Sequence, residues 1–296
     1  MTSSIRLRAF AKVNLGLKLV AKRADGYHEI RTVYQTIALH DRLELSLDPV
    51  QEGIRFSCDH PQMPSGDKNL VYRACELWRR ATGFRGGISA RLEKFIPVGS
   101  GLGGGSSDAA ATLEGLERLS GGKLPLHQRF SLAAQLGSDV PLFLLGGRVL
   151  GCGRGEEIYP LPDLPPRKCL VIFPGFSVST AEAYREAGLR LTSAPRDRNI
   201  NDVGAWPQFP LLSWGPAEND FEAVVFAKWP ELAQLKQQLI RAGAEVASMT
   251  GSGSALFALF ESARPLLRVS KLIPKGWLQF PSRTLARAGY RRLLVL

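Results

Sequence analysis

Cysteine and histidine are scarce, with four of each in 296 residues. Cys58, Cys75, Cys152 and Cys169 form no CxxC pair and stand near no group of histidines, so a zinc-ligand framework and a thioredoxin-like motif are both missing. Reduced thiols in a cytoplasmic protein are the expectation. Long apolar runs are also missing. The longest, VPLFLLGG at 140–147, falls far short of the roughly 20 residues that span a bilayer. Lys12 and Lys18 interrupt the N-terminal stretch before a signal-type apolar segment can form, so no membrane partner is expected. Acidic residues are absent from 262–296. There Arg264, Arg268, Lys271, Lys275, Arg283, Arg287, Arg291 and Arg292 supply eight positive charges against a chain net of +11. Such a field attracts nucleic acid, a membrane surface or a small polyanion alike, and charge alone does not choose. Without the alternating aromatics of a base-stacking platform, the segment makes nucleic acid the disfavoured partner, kept as a rival reading.

What is present is an ordinary globular composition, 45% hydrophobic and 22% charged. The length sits at the limit of roughly 250 to 300 residues where one core stops growing, which favours two domains. Leu7, Ala9, Ala11, Val13, Leu15, Leu17 and Leu19 keep a strict period of two, predicting a half-buried strand with Lys12 and Asn14 on its other face. TVYQTIAL and RLELSL predict further strands, and NLVYRACELWRRATG predicts a helix ended by Gly83. PLPDLPPR at 160–167 is the candidate linker. Beyond it KCLVIFPG, AEVASMT and ALFALF are strands, while STAEAYREAGLRL and two stretches from Asp220 to Ala242 are helices. Helices layered on an antiparallel sheet, an α+β class, fit this order best.

The richest segment is Pro97, Val98, Gly99, Ser100, Gly101, Leu102, Gly103, Gly104, Gly105, Ser106 and Ser107, running straight into an alanine-rich amphipathic helix. Glycines admit positive φ and a close ligand, and a helix start leaves its first amides unpaired. Together with the helix dipole and the two serine hydroxyls they make an anion cradle. A flexible linker would not enter a helix this way. Gly99, Gly101 and Gly104 satisfy GxGxxG, but the acid about 20 residues on, Glu117, lies inside the predicted helix rather than at a strand end, which argues against a dinucleotide fold. No Gly-Lys-Ser/Thr follows, and neither HRD nor DFG occurs, which removes the P-loop proteins and the protein kinases.

PVGSGLGGGSSDAA strongly resembles the ATP-binding motif of the GHMP kinases. AKVNLGL at 11–17, RADGYHEI at 23–30, GSDVPLF at 137–143, GRGEEI, PGFSVST, ENDFE and MTGSGSALFAL follow the order of the branch that acts on a cytidine diphosphate ester. Eight motifs in order over nearly the whole chain are specific where any one is weak. Ser100 departs from the usual glycine or alanine, and 53–66 and 192–219 carry no readable motif. The resemblance implies a two-domain GHMP kinase fold, with an ATP-binding domain at 1–164 and a C-terminal domain at 165–296. It implies ATP and Mg²⁺, and transfer of the γ-phosphoryl group to the 2-hydroxyl of the cytidine diphosphate ester of methylerythritol, in the non-mevalonate isoprenoid route. A homoserine or mevalonate acceptor would keep the fold and change the pocket. Monomer and homodimer both remain open.

By the same resemblance Asp139 takes the hydroxyl proton or orients the hydroxyl; its sequence position equally suits an N-cap for VPLFLL. Lys12 is its paired cation, although a lysine on a polar strand face is usually just solvated. Asn14 is expected at the sugar-like chain. Tyr27 and His28 would hold cytosine, with Tyr184 as a second aromatic and Thr180 nearby; on composition alone the first two are loop residues and Tyr184 a core residue. Gly251 and Gly253, in GSGS, form either a plain turn or a second element facing the cleft. Asn69, Leu70 and Lys94 are expected around adenine. Asp108, in the first helical turn, would repel phosphate unless it turns away or meets the metal.

Overall fold

A computed structural model describes residues 3–64, 66–192, 214 and 217–296. A long hairpin organises the first half. Strand β1 (Ser3–Lys22) runs antiparallel to β2 (His28–Asp48), and β2 also pairs β4 (Gly87–Glu93) and β5 (Arg148–Cys152). β3 (Ile54–Cys58) joins β4 in parallel at one edge, and β6 (Glu157–Pro160) joins β5 at the other. TVYQTIAL and RLELSL, expected as separate strands, are consecutive parts of β2.

Four helices cover one face: α1 (Leu70–Thr82), α2 (Gly104–Leu119), α3 (Leu126–Leu136) and α4 (Val140–Leu145). Asn69 starts α1 by accepting from the Val71 amide at 2.8 Å, and Gly83 ends it in the left-handed region. The buried stripe of α1, Val71, Ala74, Cys75 and Trp78, meets Leu113 and Leu116 of α2 and Leu43 and Leu45 of β2. Glu117 is buried in this core. Its carboxylate accepts from the Trp78 indole at 2.7 Å and the Leu124 amide at 2.9 Å, so its work is structural.

The second half contains β7 (Lys168–Phe173), α5 (Thr180–Thr192), α6 (Glu222–Lys228), α7 (Pro230–Arg241), β8 (Val246–Met249), β9 (Leu256–Phe260), α8 (Leu266–Val269), β10 (Leu278–Arg283) and α9 (Arg287–Leu293). Its strands form an antiparallel sheet in the order β10-β7-β9-β8. β7 is apolar on both faces for a reason the alternation shows. Leu170 and Ile172 face the helices with Leu232 and Leu239, while Cys169 and Val171 join a core with Ala11, Val13 and Leu15 of β1.

That shared core changes one expectation. β1 is buried on both faces through its middle, because helices cover one side and the second sheet covers the other. Register shifts between Phe10 and Lys12 and between Asn14 and Gly16 re-aim the strand, so Leu7 and Ala9 join the first core and Leu17 and Leu19 the second. Leu285, Tyr290 and Leu294 return to the first core, and the Tyr290 hydroxyl donates to the Phe143 carbonyl at 2.6 Å. Among the described residues no helix is long and apolar enough to cross a membrane.

Candidate active site

Between the glycine loop, the hairpin turn, α5 and the 250–252 turn lies a cavity of about 1130 Å³. The loop is pinned from behind. The Leu102 carbonyl accepts from the Lys12 amide at 3.0 Å, Ser100 O from Ala255 N at 3.2 Å, and Gly101 O from the Thr250 hydroxyl at 3.2 Å. Gly101, at φ +82°, has no room for a side chain: a Cβ would stand 2.2 Å from the Thr250 carbonyl oxygen. Gly103, at φ +73°, is the N-cap residue of α2. Gly104, Gly105 and Ser106 follow it along the cavity wall, and their amides have no partner inside the helix. Ser100 explains its own presence, since its hydroxyl donates to Pro97 O at 2.6 Å and braces the loop.

Beside the loop stands a buried polar cluster. Asp139 occupies the N-cap position of α4, yet its side chain caps nothing. One carboxylate oxygen lies 3.3 Å from the Lys12 ammonium, and the other accepts from the Tyr34 hydroxyl at 3.0 Å. Lys12 is 3% exposed and Asp139 30%, so the pair opens toward the cavity on the carboxylate side. Burial first, then the Asp139 charge, pushes the Tyr34 phenol well above its ordinary pKa, which keeps it a donor. Asn14 is fully engaged at its oxygen. Oδ1 accepts from Lys12 at 2.8 Å, the Thr250 hydroxyl at 3.1 Å and the Gly251 amide at 2.8 Å, while Nδ2 donates to the Thr32 hydroxyl at 2.7 Å. It ties β1 to the 250 turn and sets the height of Lys12.

Lys94 and Asn69 border the cavity, but their polar ends are committed elsewhere. Asn69 is the α1 cap, and the Lys94 ammonium is shared between Asp41 and Asp108, the latter at 2.8 Å. Asp108 therefore turns away from the loop, which answers the repulsion its position threatened. The three buried groups carry two negative charges against one positive. Asp41 also accepts from the Phe95 and Ile96 amides at 2.6 and 2.8 Å, whereas one oxygen of Asp108 has no hydrogen-bond partner. Burial pushes the Asp108 carboxyl above its usual range, with the Lys94 charge opposing. Leu70 contributes an apolar wall.

At the far end His28 and Tyr184 stack on each other, ring centroids 5.3 Å apart, and Phe221 meets Tyr184 edge-on at 4.7 Å. In this arrangement the two rings meet each other directly. Tyr27 stands 56% exposed at the rim. Burial, then Lys22, lowers the His28 pKa, leaving a neutral imidazole with one donor and one acceptor near pH 7. Thr180 and Ser252 join hydroxyls at 2.9 Å across the mouth, and Gly251 lines the wall. Two expected residues do not line the cavity. Ser107 is 1% exposed with its hydroxyl buried in α2, and Gly253 packs behind the turn against Met249. Tyr34, Ser138, Arg154, Arg185 and Ser252 line it without having been expected. Tyr34 had a signal only in the register, which pairs it with Asn14 directly across the hairpin.

Residues 69–147 match the family model for the GHMP kinases N terminal domain, and residues 211–271 match that for the GHMP kinases C terminal. Together with full-length relatives, fold and site establish that the chain belongs to the GHMP kinase family. It is 44% identical to the 4-diphosphocytidyl-2-C-methyl-D-erythritol kinase of Solibacter usitatus over 99% of this chain and 94% of that one, and 42% identical to that of Pelotomaculum thermopropionicum over 86% and 90%. A solved 4-(cytidine 5'-diphospho)-2C-methyl-D-erythritol kinase superposes with a TM-score of 0.77 at 37% identity, covering 95% and 99% of the two chains. Homoserine kinase from Cytophaga hutchinsonii, at 20% identity and a TM-score of 0.65, shares the fold.

Proposed function

We propose that the protein transfers the γ-phosphoryl group of ATP to the 2-hydroxyl of 4-diphosphocytidyl-2-C-methyl-D-erythritol, giving ADP and the 2-phosphate. The observation that carries the reading is the Lys12, Asp139 and Tyr34 cluster at the foot of the glycine loop, in one cavity with the Tyr27 and His28 end. The loop amides and the α2 dipole receive the polyphosphate. The acceptor hydroxyl, placed against Asp139, attacks the γ-phosphorus as the bond to the β–γ bridging oxygen breaks and its electron pair leaves with ADP. The hydroxyl proton goes to the Asp139 carboxylate. Tyr34 fixes that carboxylate from the protein side, and Lys12 offsets charge on the transferring oxygens. In a loose transition state little deprotonation is needed early, so holding the hydroxyl in line is a large part of what Asp139 does.

The Ser106 hydroxyl, in the cavity wall beside the loop, suits a hard cation such as Mg²⁺ that would be held mainly by nucleotide phosphates. It would supply charge neutralisation to the transferring phosphate. Adenine would lie along Leu70 and the Asn69 and Lys94 stems, and cytosine at Tyr27 and His28. We place the reaction in the cytoplasm, with the domain boundary in the 160–167 segment. Incubation with Mg-ATP and the cytidine diphosphate ester tests the reading. ADP should appear with a product one phosphoryl group heavier, and homoserine or mevalonate, which offer no base to stack, should give neither. Phosphorylation of either of those in preference to the ester would refute it.

A further inference from the structure

The turn GRGEE at 153–157 has no task in the reaction above. It is fastened to the 23–30 turn across a seam: Ile30 N donates to Gly153 O at 2.7 Å, Gly153 N to Glu29 at 3.1 Å, and Arg23 holds the other Glu29 oxygen at 2.8 Å. Arg154 reaches over that seam. Its guanidinium carbon lies 4.8 Å from the centroid of the Tyr27 ring. Glu156 steadies it from the same turn, one oxygen accepting from Nε at 3.1 Å and the other from the Arg154 amide at 2.6 Å. Among the described residues its two terminal nitrogens have no hydrogen-bond partner. Asp25, the next acid, is paired with Arg23 at 3.2 Å.

The charge lining the cavity is uneven. Among the described residues its two carboxylates are Asp108, bound to Lys94, and Asp139, bound to Lys12 and Tyr34. Lys22, Arg154 and Arg185 line it as well, with Tyr27, His28 and Tyr184, and no other acid lies in the wall. An acceptor with a base at Tyr27 and a hydroxyl at Asp139 must lay whatever joins them along this stretch. In a nucleoside diphosphate ester that joining group is two phosphates. A guanidinium stacked by its face on an aromatic ring keeps its edge for bidentate hydrogen bonds to phosphate, a geometry lysine does not offer.

We propose that Arg154 recognises the diphosphate of the acceptor, held over the Tyr27 ring and forking a phosphate with its two terminal nitrogens. The inference rests on the acceptor being a nucleoside diphosphate ester. It makes Arg154 a specificity determinant that rewards phosphates and ignores the base.

The test is calorimetric binding of cytidine and of CDP, with a non-hydrolysable ATP analogue saturating the nucleotide site, to wild-type protein, Arg154→Met and Arg154→Lys. Wild-type protein should prefer CDP by about tenfold or more, as one charge-assisted hydrogen-bonded pair implies. Arg154→Met should lose most of that preference while binding cytidine within about threefold of wild type, since methionine keeps the packing on Tyr27. Arg154→Lys should keep part of it. Cytidine and CDP weakened by one common factor would mean that Arg154 only props Tyr27, and an undiminished CDP preference would mean that it meets no phosphate; either overturns the inference alone. Wild-type protein that binds neither ligand overturns the substrate reading and the inference with it.

Discussion

Asp139 sits where a helix cap belongs and does something else with its carboxylate. Replacing it by Asn keeps the shape but removes the proposed proton acceptor. Turnover of Asp139→Asn should fall by roughly 10² to 10⁴, with affinity for an ATP analogue near wild type. Steady-state rates and analogue binding check both; a rate within a few-fold of wild type would remove Asp139 from the mechanism. His28 gives a second prediction at this scale. Burial and Lys22 lower its pKa below the ordinary 6.5, so the folded protein takes up this proton at lower pH than the unfolded chain does. The contribution of His28 to stability is therefore complete above pH 6.5 and is lost as pH falls through the depressed value. Cytidine affinity should likewise be flat from pH 8 to 6.5 and fall only below, and an NMR titration of the His28 ring should place its midpoint on the acid side of 6.5. A midpoint above 6.5 contradicts the assigned environment.

At the scale of elements, the Lys94 ammonium joins three of them. It binds Asp41 of β2 and Asp108 of α2, and Asp41 in turn grips the Phe95 and Ile96 amides that lead into the loop. Lys94→Met leaves two buried carboxylates without their cation and should destabilise the protein by about 3 to 5 kcal/mol. Chemical denaturation measures this, and Asp108→Asn added to Lys94→Met should recover part of the loss by removing one stranded charge. A Lys94→Met variant as stable as wild type contradicts the ion-pair account. This bond also shows where the sequence stops being legible. The loop and its helix follow from spacing, because glycine placement and local periodicity are local properties, while the proposed roles of Lys12 and Asp139 come from the resemblance. The partner of Lys94 lies 53 residues away at Asp41, and Tyr34 meets Asp139 across 105. Such meetings depend on hairpin register and on how helices lie over a sheet, which no local pattern records. For the same reason the brace that Asn14 makes between β1 and the 250 turn has no signal in the sequence, although Asn14 also lines the cavity as expected.

For the whole molecule, the acid-free C-terminal segment acquires a structural meaning. The Arg287 guanidinium donates to the carbonyls of Arg148 at 2.7 Å and Leu161 at 3.3 Å, and the Arg8 amide donates to Leu294 O at 2.7 Å. The chain end thus closes over the first core instead of trailing as a basic arm. Deleting 284–296 would uncover that core by removing Leu285, Tyr290 and Leu294, and should abolish cooperative unfolding, as circular dichroism melts will show. A truncated chain that melts like wild type would mean that the return is dispensable. The return also weakens the rival reading as a nucleic-acid binder, since part of the charge that suggested it serves the fold. All of the proposed chemistry depends on phosphates meeting the glycine loop beside Lys12 and Asp139. A crystal structure with a non-hydrolysable ATP analogue and the cytidine diphosphate ester tests that most directly. The account predicts the γ-phosphate over Gly103–Ser106 with the acceptor 2-hydroxyl in line between it and Asp139. Phosphates bound away from the loop, or a hydroxyl out of reach of Asp139, would contradict it.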